Sequence, residues 1–115
     1  MLIDRRIAPL VILINSFPGL RTNESCCGHR REDWGVYFQA DATAAGQTSL
    51  EFLVWAAADY ARAGHLVRVN VHAPPPMLNG PGRCMYYALI GEKATNPIRF
   101  ARWLYELKEK YYLVG

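Results

Sequence analysis

Apolar residues recur at steps of three and four near the start of the chain: Ile3, Ile7, Leu10, Val11, Ile14 and Phe17. That spacing fills one helical face and predicts a helix over 4–17. Asp4 is a suitable N-cap, Pro9 is tolerated near the start, and "FPG" ends the element. Residues 21–25 read as a short strand. In "WGVYFQAD", Val36, Phe38 and Ala40 alternate with Tyr37, Gln39 and Asp41, the pattern of a half-buried strand. "ATAAGQ" reads as a loop. Thr48 and Glu51 have capping-box spacing ahead of "LEFLVWAAADYARA", and Gly64 stands where a C-terminal cap belongs. "HLVRVNVH" alternates again, with Val67, Val69 and Val71 against Arg68, Asn70 and His72. A proline-rich loop, "APPPMLNGPGR", leads to a further strand, "CMYYALIGE". Asn96 and Pro97 open a last helix with Phe100, Leu104, Leu107 and Tyr111 as its apolar stripe.

The order α-β-β-α-β-β-α predicts an α+β fold: a mainly antiparallel four-stranded sheet with helices packed on it. Residues 1–115 read as a single domain. The last two strands flank one loop, so they pair as an antiparallel hairpin. Setting Val71, Val69 and Val67 opposite Met85, Tyr87 and Leu89 sends all six to the core. Arg68, Asn70 and His72 then share the other face with Ala88, Tyr86 and Cys84. If residues 36–40 join this sheet apolar side inward, Tyr37 and Gln39 belong to the same polar face. That mixture suits hydrogen bonding and stacking of a planar, partly anionic ligand. A solvated face, or one packed on a twin subunit, uses the same pattern.

Composition narrows the classes. The chain is 51% hydrophobic, enough for a core without a disulfide or metal staple. No apolar run reaches the roughly 18 residues of a membrane span. Arg5 and Arg6 before "IAPLVILI" look faintly like a signal peptide, but the helical face accounts for that run. Three cysteines, two of them adjacent, do not resemble a secreted disulfide framework and point to the cytoplasm. A net charge of +3 admits an anionic ligand without demanding nucleic acid.

Candidate chemistry concentrates in "NESCCGHRRED", residues 23–33. An anion-binding turn would use the Ser25 hydroxyl, the backbone at Gly28, and the charge of His29, Arg30 and Arg31. A reactive thiolate would be Cys26 or Cys27 beside His29, which makes Cys26 and His29 the catalytic candidates. A zinc site would draw on Cys26, Cys27, His29 and Cys84, although structural zinc usually needs two close ligand pairs. Each has a plainer counterpart: a solvated charged loop, or a cysteine serving as a small core residue. Arg99 and Arg102 read as a solvated helix face.

"SCCGH" resembles the Ser-Cys-Ser/Ala-Gly-Arg motif of the wybutosine-synthesising tRNA methyltransferase family. "GVYFQA", "LEFLVWAAADYARAG", "LVRVNVH" and "MYYALIG" follow in that family's order, so the likeness runs over roughly residues 20–91. The stretch also resembles small phage-type and bacterial proteins with an "SC-x-GH" turn. His29 stands where the methyltransferases have arginine, and Cys27 where they have a small residue. The resemblance implies a compact α+β fold and binding of S-adenosylmethionine and a modified tRNA base, with Ser25, Cys26 and Gly28 forming the turn.

These readings combine into one expectation: a nucleotide-like or other anionic ligand held by Ser25, Gly28, Arg30, Tyr37, Arg68, Asn70, His72 and Tyr86. The alternatives are a homodimeric protein-interaction module and a zinc-stabilised domain.

Overall fold

A computed structural model describes residues 4–26, 33–71 and 84–112. Among these residues lie the helices α1 (Ala8–Asn15), α2 (Ala44–Arg62) and α3 (Pro97–Tyr111), with four strands. The strands are β1 (Leu20–Cys26), β2 (Trp34–Asp41), β3 (Val67–Val71) and β4 (Cys84–Gly91). They form one antiparallel sheet in the order β1-β2-β4-β3. The expected α+β architecture is therefore present, in the expected chain order.

The helices cover one face of the sheet. Val36, Phe38 and Ala40 of β2 are buried with Leu10 and Ile14 of α1, Leu53 and Ala57 of α2, and Phe100 and Leu104 of α3. Alternation in β2 thus separates a core side from an open side carrying Tyr37, Gln39 and Asp41. Inside the core, the Ser49 hydroxyl meets the Pro18 carbonyl and the Tyr112 hydroxyl, each at 2.7 Å. Among the described residues, no helix is long and apolar enough to cross a membrane.

Several boundaries differ from the expected ones. α1 is shorter than 4–17, and its N-cap is Ile7, not Asp4. With Asp4 as cap, Pro9 would be the fifth helical residue and would need an N–H that proline lacks. Asp4 instead closes a preceding turn: its carbonyl accepts from Ile7 N at 3.0 Å and Ala8 N at 2.9 Å. α2 starts inside the expected loop. Thr43 caps it by accepting from Gly46 N at 3.1 Å, and Thr48 and Glu51 lie within the helix. Buried Gly46, Ser49, Leu50, Leu53 and Ala57 continue the helical stripe back to this start.

Gly64 closes α2 as expected, with φ +98°. Gly64 N donates to the Ala61 carbonyl and His65 N to the Tyr60 carbonyl, the paired bonds of a Schellman motif. Asn96 caps α3 as expected, its side chain accepting from Ile98 N at 2.8 Å and Arg99 N at 3.2 Å. In the α3 stripe Tyr111 is exposed. Tyr112, at the end of α3, packs edge-on to Phe17 and Phe52 in its place.

The β3–β4 register differs from the expected one by two residues: Val67, Val69 and Val71 face Gly91, Leu89 and Tyr87. A two-residue slide keeps every side chain on its face, so alternation alone does not choose between these registers. The helices do not reach the far end of this pair, and Val71 and Met85 stay 64% and 42% exposed instead of entering the core. The proline-rich loop lies outside the described residues.

A candidate ligand site on the open face of the sheet

On the open face the two central strands carry small residues at one end. Gly35 of β2 faces Ile90, and Ala88 of β4 faces Tyr37. A Cβ on Gly35 would stand 3.2 Å from Ile90 Cδ1, so the Ile90 side chain leans across this buried glycine and itself lines the floor. Longer side chains surround it: Tyr37 from β2, and Arg68 and Asn70 from β3, which pair with Ile90 and Ala88. The result is a hollow of about 500 Å³, with Cys26 and Asp33 also on its wall. That is a volume typical of small-ligand clefts.

Cys26 reaches this face because β1 is irregular. The pairing shifts between Thr22 and Glu24, leaving Asn23 as an extra residue. Before the bulge, Arg21 faces Gln39 on the open side. After it, Glu24 faces Tyr37 and Cys26 faces Gly35. Ser25 pairs with core-facing Val36 and is thereby turned to the helix side, away from the hollow. Among the expected ligand residues, then, Tyr37, Arg68 and Asn70 meet in one place, with the catalytic candidate Cys26 beside them. Tyr86 lies outside the hollow, opposite Gln39. Cys27, Gly28, His29, Arg30, Arg31 and His72 lie outside the described residues.

The charges divide between the two ends of the face. Away from the hollow, Arg21 pairs with Asp41 at 3.0 Å. With the Gln39 amide oxygen turned towards it, the same guanidinium donates to Gln39 at 2.6 Å. At the hollow, the Asp33 carboxylate accepts from Lys93 N at 3.1 Å, which fixes it to the turn after β4. Arg68 is exposed and makes no ion pair among the described residues. Among the described lining residues it is the cation, and a guanidinium offers several donors to a phosphate or carboxylate.

Of the four zinc candidates, Cys26 and Cys84 occupy strand positions far apart on the sheet. Cys26 pairs with Gly35, while Cys84 pairs with Asp41 at the other end of β2. At ~3.4 Å per residue the two strand positions are about 20 Å apart, too far to share one ion at bonding distance. Among the described residues, no group of three or more His, Cys, Asp or Glu side chains is placed to hold a metal.

No protein-family model, curated protein or solved structure matches the chain.

The signal that sequence reading lacked was small size. Gly35 and Ala88 are unremarkable along the chain. Only the β2–β4 register brings them to diagonal positions at one end of the open face, each opposite a longer side chain, Ile90 and Tyr37. The hollow's described lining offers a guanidinium, a carboxylate held by Lys93 N, an amide, a phenol and a thiol. Those groups can donate and accept hydrogen bonds, with one positive and one negative charge among them.

Proposed function

We propose that the open-face hollow binds a small anionic, nucleotide-like molecule. Arg68 pairs with the anion, Asn70 and Tyr37 form hydrogen bonds to the body, and a flat ring rests on the floor made by Ala88 and by Ile90 lying over Gly35. The observation that carries this reading is the meeting of Tyr37, Arg68 and Asn70, from two separate stretches of sequence, around one hollow of about 500 Å³. The resemblance of "SCCGH" to the wybutosine-synthesising family puts S-adenosylmethionine among the ligands to test. The odd count of three cysteines supports a cytoplasmic setting.

A thermal-shift panel of mono-, di- and triphosphate nucleotides and S-adenosylmethionine tests the proposal. At about ten times Kd, a ligand of this class raises the Tm by roughly 5 °C or more. Arg68→Ala abolishes the rise by removing the cation. Gly35→Val does the same by filling the floor, with only the flexible end of Ile90 to displace. No shift with any member of the panel contradicts the proposal, as does a shift that both variants retain.

A further inference from the structure

On the helix side of the molecule, α1 is apolar on every side until its last residue, Asn15, whose side chain bonds Thr22. From Ile7 to Ile14 the chain reads "IAPLVILI", without one polar side chain. Leu10, Val11 and Ile14 are buried against the core, whereas Ile12 on the other side is 67% exposed. Helices apolar on every side are normally covered on every side. Here the uncovered side forms one wall of a groove of about 560 Å³, with Pro9, Ile12 and Leu13 facing Ile98, Ala101 and Tyr105 of α3.

Charge says what fits there. Arg102 and Lys108 stand on the α3 wall, and among the described residues no carboxylate lines the groove. Lys108 is held in place, its Nζ donating to Ser16 Oγ at 2.8 Å and lying 4.7 Å from the centre of the Phe17 ring. Arg102 is exposed and makes no ion pair among the described residues, with Glu106 included. From Ile98 to Lys108 the α3 wall runs for about 15 Å, or roughly three helical turns.

We propose that this groove docks an amphipathic helix of a partner protein. Its apolar residues, at i, i+4 and i+7, enter between α1 and α3, and its carboxylates meet Arg102 and Lys108. A second copy of this chain fits less well, because groove against groove would set these cations against each other with no lining carboxylate between them. A bilayer fits less well too, since the apolar surface is concave and a membrane surface takes a projecting one. The proposal does not depend on the ligand hollow, which lies across the sheet.

Two synthetic peptides of about 16 residues test it, sharing one leucine stripe and carrying either glutamate or lysine along the flank. Fluorescence anisotropy with the full chain is expected to show the glutamate peptide binding about five-fold tighter or better. Arg102→Glu reverses that preference. Ile12→Ser weakens both peptides at least five-fold, and Ile98→Ser on the opposite wall replaces it if circular dichroism shows Ile12→Ser unfolded. Absence of binding overturns the proposal, and so does equal binding of the two peptides or indifference to these variants. A sedimenting dimer that Ile12→Ser dissolves assigns the groove to a second copy. Binding to phosphatidylserine vesicles that Ile12→Ser abolishes assigns it to lipid. Either result also overturns the proposal.

Discussion

Tyr60 is buried with Phe100, Trp103 and His65 around its ring, at centroid distances of 5.3, 5.1 and 4.6 Å. Burial pushes its phenol above the ordinary 10.0, and the charge of Arg99 offsets this in part. The raised value means that the folded chain keeps the proton after the unfolded chain has lost it. The stabilisation is therefore complete below about pH 10 and is lost as pH rises through the folded value. Urea unfolding at successive pH values should show this loss of stability in the wild type above about pH 10, and a smaller one in Tyr60→Phe. An identical decline in both proteins would deny Tyr60 this role. Nothing in the sequence marks Tyr60 for it, because its surroundings come from α3 and from the turn after α2.

The start of α2 shows what local sequence rules can and cannot reach. Thr48-x-x-Glu51 has the spacing of a capping box, but Thr43 holds the cap. Both sites obey the same local chemistry, and the difference comes from packing: buried Gly46, Ser49 and Leu50 extend the core stripe one turn earlier. Thr43→Ala should cost about 1 kcal/mol in chemical denaturation, the ordinary loss of an N-cap. Thr48→Ala should stay within about 0.5 kcal/mol, as for other exposed substitutions. The reverse ranking would restore Thr48 as the cap. Other helix ends were legible because one residue settles each: Gly64 with its positive φ, and Asn96 ahead of Pro97. In β2, β3 and β4, alternation was enough to assign faces. Register was not legible, because a slide of two residues preserves every face.

At the scale of the whole molecule, the sheet separates two surfaces of different character. Helices bury one face in a shared core, and the other face is open and polar with a hollow at the Gly35 end. Tyr37, Arg68 and Asn70 were legible as members of that face from alternation in β2 and β3. That Cys26 shares the face and Ser25 does not was illegible, because the β1 bulge reverses alternation after Thr22 and leaves no clear mark in "RTNESC". The floor was illegible for a different reason, since it needs Gly35 and Ala88 from strands far apart in sequence. Mapping backbone amide shifts by NMR during a titration with nucleotides and S-adenosylmethionine tests the proposed site most directly. The account predicts shifts grouped at Gly35, Tyr37, Arg68, Asn70 and Ala88 for at least one ligand, and their loss in Arg68→Ala. Shifts that group elsewhere, or none at millimolar ligand, would contradict it.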